Sequence, residues 1–187
     1  LGSIKRHLEG ERFKSFYGDL VSDKGWRDNE ITIKTRSDKA LKEPTVGCMG
    51  IDTARTGSHW DLIICDDLHS IKNTANSDQI QQVKDFYKLM FSLLEPTPKS
   101  RIAVVGTRWD YSDLYADIEQ QGQDYDILIR EAIAGVQIVE NPDTRLYELI
   151  GGEPYFPTRL SREVLQEILN VQGLYIFSCQ YLLRAIP

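Results

Sequence analysis

Two carboxylates stand side by side at the end of a short apolar run in Asp61-Leu62-Ile63-Ile64-Cys65-Asp66-Asp67. A run of this length and composition predicts a buried parallel strand, whose carboxyl end is where open α/β sheets bind their ligands. Adjacent acids repel unless a cation, a proton or a basic group offsets them. The pair therefore suggests a divalent metal, Mg²⁺ held through oxygen, and a metal-assisted enzyme acting on phosphate. The alternative is that Asp66 and Asp67 cap the helix that follows.

A second group is Gly106-Thr107-Arg108, directly after the apolar run Arg101-Ile102-Ala103-Val104-Val105. If the two runs are neighbouring strands, a hydroxyl, a guanidinium and a flexible backbone meet the two acids at one sheet edge. There a hydroxyl can sense a γ-phosphate or orient water, and an arginine can offset developing phosphoryl charge. Otherwise Thr107 caps a helix and Arg108 pairs at the surface with Asp110 or Asp113. Trp109 reads as core packing before it reads as a base-stacking platform.

These groups need elements to hold them. Between the two runs, Ile80, Val83, Phe86, Tyr87, Met90, Leu93 and Leu94 recur at helical spacing, which predicts an amphipathic helix over 76–94 that Pro96 and Pro98 end. Strand, helix, strand in this order implies a crossover and parallel neighbours. Upstream, Ile4, Leu8, Phe13 and Phe16 predict a helix to about Gly18, residues 30–34 a half-exposed strand, 34–44 a charged loop, 45–51 a second strand and 52–57 a turn. Downstream, 110–120 reads as a helix with Leu114 and Ile118 inward, 126–132 as a further strand and 138–152 as a looser excursion. Helices over 161–169 and 173–183 close the chain. Residues 142–157, between Pro142 and Pro157, form the one stretch loose enough to be a linker.

With 187 residues and 41% hydrophobic content, the chain can bury one sizeable core, and its length fits one domain better than two. Its net charge of −6 gives no bulk electrostatic support for a protein coated in nucleic acid, although a local basic surface stays open. Cys48, Cys65 and Cys179 show neither disulfide-framework nor zinc spacing, which suits a reducing compartment. No apolar run approaches the ~20 residues of a membrane helix, so a soluble, cytoplasmic protein without membrane partners is expected. His7, His59 and His69 share no metal spacing and read as surface or helix residues, and Lys5, Arg6, Lys39 and Lys42 as solvated charges.

The order Asp61 to Asp67, then Ala75-Asn76-Ser77 opening a long helix, then Val105-Gly106-Thr107-Arg108-Trp109 and Ser112-Asp113-Leu114-Tyr115, resembles the large terminase subunit of tailed bacteriophages. The ending agrees: Tyr155-Phe156-Pro157-Thr158-Arg159-Leu160, Phe177-Ser178-Cys179-Gln180-Tyr181-Leu182 and Pro187 resemble the segment where that family's ATPase domain meets its nuclease domain. The resemblance implies an α/β fold, a partial P-loop NTPase-type parallel sheet flanked by helices, with 1–187 as an incomplete ATPase domain. It implies a motor that hydrolyses ATP with Mg²⁺ to drive double-stranded DNA into a procapsid. Implied partners are the portal protein, the small terminase subunit and further copies of the motor, in the cytoplasm of an infected bacterial host and transiently at the procapsid portal. Carried over by position, Asp66 matches the Walker B acid that holds Mg²⁺ by way of its water shell. Asp67 falls where a carboxylate polarises the attacking water, a position often filled by the longer Glu. Gly106 and Thr107 match the motif coupling hydrolysis to movement, with Thr107 also at the catalytic edge, and Arg108 is a candidate sensor of phosphate state.

The chain contains no Gly-x-x-x-x-Gly-Lys-[Ser/Thr] and no Gly-Lys dipeptide, so the Walker A segment is missing from it. The family would place that loop upstream of Leu1, and the 187-residue chain alone is expected to lack substantial ATPase activity. A rival reading starts from Gly50-Ile51-Asp52-Thr53-Ala54, which resembles the first metal-binding strand of RNase H-like nucleases; Asp52, Asp66 and Asp67 would then share two metal ions. A third is a non-catalytic scaffold or binding module.

Overall fold

The computed structural model of the chain describes residues 1–38, 40–53 and 57–186, and of Asp52 the backbone alone. Lys39, Ala54, Pro187 and the Asp52 side chain, all used in the sequence reading, therefore lie outside the described residues. The structure is mixed α/β with short parallel and antiparallel two-stranded sheets. Two compact units are distinguished: Leu1–Ile63 with Leu89–Ile102, and Ile64–Lys88 with Ala103–Pro187.

In the first unit the predicted N-terminal helix is broken in two, α1 (Gly2–Glu9) and α2 (Glu11–Tyr17). Gly10 between them is extended, as suits a residue with little helix propensity. The predicted strands shrink to β1 (Glu30–Ile31) and β2 (Val46–Gly47), which pair antiparallel with Ile31 opposite Val46. Ile31 is fully buried, and Trp60 lies so close over Gly47 that any Cβ there would sit 2.7 Å from the indole.

The predicted strand, helix and strand are β3 (Leu62–Asp66), α3 (Ser77–Ser92) and β4 (Arg101–Val105). Asn76 caps α3 by accepting the Gln79 N–H at 2.9 Å, and Ile80, Val83, Tyr87 and Met90 form its buried stripe. The Arg101 N–H bonds the Asp61 carbonyl at 3.0 Å, and the Asp67 N–H bonds the Val105 carbonyl at 2.9 Å. Both strands thus advance in the same direction, the parallel pairing that the crossover requires. The expected burial is corrected. Cys65 is buried, but Leu62 and Ile64 on the opposite face are 53% and 63% exposed, as is Val105 on β4 at 57%. A parallel strand is hidden on both faces only when layers cover both, and β3 with β4 is a ribbon of two strands.

In the second unit, α4 (Leu114–Gln120) starts later than predicted because Asp113, not an earlier residue, caps it. Residues 126–131 follow without the predicted strand: their backbone joins no sheet among the described residues. β5 (Ile133–Ala134) pairs with β8 (Glu153–Pro154), and β6 (Gln137–Glu140) with β7 (Tyr147–Ile150), all antiparallel. The predicted excursion and linker are therefore an ordered hairpin region, and Leu149 of β7 belongs to the core. α5 (Arg162–Tyr181) is capped by Ser161 and interrupted at Gly173, whose φ of 80° marks the boundary between the two predicted helices. Ile133, Val136, Leu149, Leu165, Leu169, Phe177 and Leu182 make one buried cluster. Each large apolar side chain there contributes about 1.5–3 kcal/mol. No helix among the described residues is long and apolar enough to cross a membrane.

Candidate functional site

Side chains alternate along β3, so burying Cys65 turns Asp66 to the open face with Ile64. Burial also pushes the Cys65 thiol up to about 11, which leaves it inert. Asp67 follows with φ of 45°, a left-handed conformation uncommon outside glycine, Asn and Asp. Both carboxylates are exposed, and neither is hydrogen-bonded or ion-paired to another described residue.

The turn at Asp67 aims its N–H at the Val105 carbonyl, which brings the end of the acidic strand against the residue before Gly106. That carbonyl also receives the Tyr115 hydroxyl, at a long 3.5 Å. The phenol lies so close to Gly106 that a Cβ there would stand 1.9 Å from the hydroxyl oxygen and 2.3 Å from the ring carbon bearing it. Gly106 is thus glycine because Tyr115 fills the place of a side chain. Burial, with a smaller contribution from the Asp67 charge, pushes the Tyr115 phenol up to about 12, so it stays a neutral donor.

His69 corrects the expectation of a surface histidine: it is 1% exposed. Its Nε2 accepts the Leu114 N–H at 3.0 Å, and its ring meets Tyr115 edge-on with centroids 5.8 Å apart. Nε2 as acceptor puts the proton on Nδ1, which finds no partner among the described residues. Desolvation holds the imidazole below its ordinary pKa despite the raising effect of Asp113. Three contacts therefore join the segment after β3 to the end of β4 and the segment that follows it: Asp67 to Val105, His69 to Leu114, and His69 to Tyr115.

The backbone of 106–113 is organised by Asp113. Its fully buried carboxylate accepts the Trp109 N–H at 2.9 Å, the Asp110 N–H at 3.2 Å and the Ala116 N–H at 2.9 Å. Arg108 completes the network, with Nε 3.1 Å from Asp113 and Nη1 3.0 Å from Glu119. Its guanidinium is therefore turned back onto α4, the structural pairing considered for it from the sequence. Trp109 is buried as expected, and its carbonyl accepts the Tyr175 hydroxyl at 2.7 Å. Thr107 is half-buried and caps no helix; its hydroxyl has no hydrogen-bond partner among the described residues.

The structure thus brings Asp66, Asp67, Gly106 and Thr107 to the carboxyl ends of two paired parallel strands, while Arg108 is engaged beside them. Sequence reasoning missed Asp113, Tyr115 and His69 as the parts that position this edge. Asp113 had a legible signal, an acid three residues before Ala116 at a helix start. Nothing in the sequence ties Tyr115 to Gly106 or His69 to Leu114.

Two exposed carboxylates without basic partners fit Mg²⁺, which uses one or two carboxylates and takes its other ligands from water and substrate phosphate. No group of three or more His, Cys, Asp or Glu side chains able to hold a metal by themselves occurs among the described residues, and the Asp52 side chain of the nuclease reading lies outside them.

No protein-family model matches the chain. A curated protein does: the large terminase subunit of Enterobacteria phage T3 is 27% identical over 183 residues, covering 90% of this chain. The chain spans 31% of the length of that relative. The resemblance first read from Asp61 to Asp67, Val105 to Trp109 and the closing segment is therefore borne out: along nearly its whole length, this chain is similar to a terminase large subunit.

Proposed function

We propose that this chain carries the Mg²⁺-binding and coupling part of an ATP-hydrolysing motor that moves double-stranded DNA into a viral procapsid. The observation that carries the reading is the Asp67 N–H to Val105 carbonyl bond, which joins the acidic end of β3 to the Gly106-Thr107 end of β4. The similarity to a terminase large subunit supports it. The proposed sheet is a P-loop NTPase-type parallel sheet, of which β3 and β4 are two strands. The portal protein, the small terminase subunit and further motor copies are the proposed partners, in an infected bacterial cell.

In this reading Asp66 holds Mg²⁺ through its water shell, and the ion when bound would offset charge on the ATP phosphates. Asp67, turned out of the strand by its left-handed backbone, is the acceptor that orients water. Thr107 offers an uncommitted hydroxyl at the same edge. Gly106, packed on Tyr115, fixes where the Thr107 backbone leaves β4. Arg108 acts by bracing the 106–113 backbone through Asp113 and Glu119; sensing phosphate would require it to leave both. The chain has no Gly-Lys phosphate loop, so the half-site is expected to bind the ion without supporting turnover.

The test is a Mn²⁺ titration followed by amide NMR. Broadening should centre on Asp66, Asp67, Gly106 and Thr107 and disappear in Asp66→Asn, while the purified chain shows no substantial ATP turnover. Broadening elsewhere, or robust turnover by the chain that Asp66→Asn abolishes, would overturn the half-site reading.

A further inference from the structure

Residues 106–110 leave β4 without regular structure, yet the peptide unit joining Trp109 to Asp110 is held at both of its polar groups. The Asp110 N–H donates to the Asp113 carboxylate at 3.2 Å, and the Trp109 carbonyl accepts the Tyr175 hydroxyl at 2.7 Å. In a trans peptide the two groups point opposite ways, so the unit is pinned between the cap of α4 and a side chain of α5. The Asp113 contact is local, three residues along the chain, whereas the Tyr175 contact spans 66. Trp109 is buried, so its carbonyl would be costly to leave unmatched.

The break in α5 sets up this contact. Gly173, two residues before Tyr175, has its φ of 80°, and a Cβ there would meet nothing within 4 Å, so the glycine serves the direction of the backbone and not close packing. Beyond the break, Phe177 is fully buried in the core cluster. Tyr175, two positions earlier, stands on a different side of the helix, and its hydroxyl reaches Trp109. Burial raises the Tyr175 pKa, with further contributions from Cys179, Asp110 and Asp113, so the phenol stays a neutral donor.

Val105 and Trp109 are thus the two fixed points of the candidate edge, both within the second unit. The Val105 carbonyl is tied to the acidic turn by the Asp67 N–H at 2.9 Å, and the Trp109 carbonyl to α5 by Tyr175. Thr107 lies midway, two residues from each. A chain reaches at most about 3.6 Å per residue, so Thr107 is confined to positions within about 7 Å of both anchors. Freeing the Trp109 carbonyl would let its peptide turn about the Asp113 contacts and widen the range open to Thr107.

We propose that Tyr175 is a positioning residue for the ion half-site: by holding the Trp109 carbonyl it fixes the course of residues 106–109, and so the place of the Thr107 hydroxyl at the edge that carries Asp66 and Asp67. The inference rests on the reading of that edge as a half-site for Mg²⁺. Tyr175 acts through the Trp109 peptide. The second half of α5 therefore belongs to the site, although its sequence lies far from both strands that carry the carboxylates and the threonine.

Tyr175→Phe keeps the ring and removes the hydroxyl. Amide hydrogen exchange followed by NMR should speed up about tenfold at Trp109 and Asp110 while the β6–β7 hairpin keeps its wild-type rates, a local pattern that a general loss of stability would not give. In the Mn²⁺ titration the variant should bind about threefold to tenfold more weakly, up to the lower end of what groups that orient a ligand directly contribute. Thr107→Val removes the hydroxyl that the segment presents, and in that background Tyr175→Phe should cost no further Mn²⁺ affinity. Unchanged exchange at Trp109 and Asp110, or wild-type Mn²⁺ affinity in Tyr175→Phe, overturns the role of Tyr175 and leaves the half-site standing. So does an equal loss of affinity with and without Thr107→Val. A wild-type chain that binds no Mn²⁺ at Asp66 and Asp67 overturns the half-site reading itself, and the positioning role with it.

Discussion

Replacing Gly106 with alanine puts a methyl group where the Tyr115 phenol already stands, 1.9 Å from its oxygen and 2.3 Å from the adjoining ring carbon. The phenol cannot simply swing away. Tyr115 lies in the first turn of α4, its ring is set edge-on to His69, and its hydroxyl is directed at the Val105 carbonyl. Overpacking of this kind costs about 1–3 kcal/mol, and losing the hydroxyl contact adds about 1 kcal/mol at most, since 3.5 Å is long. The sum, about 1–4 kcal/mol, corresponds to a fall in Tm of about 2–16 °C for a chain of this size. Tyr115→Ala removes the obstruction and by itself should cost about 3 kcal/mol as a cavity. In that background Gly106→Ala should become nearly neutral, within about 1 kcal/mol, so the coupling between the two positions is about 1–3 kcal/mol. Urea unfolding of the four proteins, followed by far-UV circular dichroism and tryptophan fluorescence, measures each corner of the cycle. If Gly106→Ala is equally costly with and without the Tyr115 ring, the steric account is wrong, and a need for glycine at this edge must come from elsewhere.

Asp113→Ala should be more damaging than an ordinary cap deletion. It leaves the Trp109, Asp110 and Ala116 N–H groups unmatched and Arg108 without its inner partner, for a total of about 3–5 kcal/mol. Asp113→Asn, which keeps an acceptor oxygen, should lose clearly less; equal urea midpoints for the two variants would sink this. The buried His69 predicts a pH dependence. Its folded pKa is lowered, chiefly by desolvation and also by Lys84, against the raising effects of Asp113, Asp110 and Asp117. The unfolded imidazole therefore takes up a proton first, near pH 6.5. The stabilisation it gives is complete above that value and declines as pH falls toward the folded pKa. His69→Phe should flatten the fall in urea midpoint between about pH 7 and pH 5, and an unchanged slope would show that another group titrates.

The elements that carry the candidate site were legible because each left a local pattern. Asn76 ahead of a helical stripe announced α3, and two short apolar runs around it announced a parallel pair. Residues 138–152 were not legible as a hairpin, because Gln137-Ile138-Val139-Glu140 and Tyr147-Glu148-Leu149-Ile150 are short and their pairing is settled by long-range burial of Leu149. The strand expected over 126–132 failed for the complementary reason. Its residues have the propensity, but propensity gives no partner, and backbone groups pair only with what lies beside them.

By itself, the sequence determined the order of the chemistry: two carboxylates, a crossover helix, then Gly-Thr-Arg after a second strand, in the pattern of a terminase large subunit. It also shows that the 187 residues contain no Gly-Lys dipeptide. Only the tertiary structure decided that Asp67 turns left-handed onto Val105, that Tyr115 occupies the side-chain space of Gly106, and that Arg108 is held by Asp113 and Glu119. The reason is physical. Periodicity and capping act between residues a turn apart, whereas close packing and the pairing of buried polar groups act between residues brought together from distant parts of the chain.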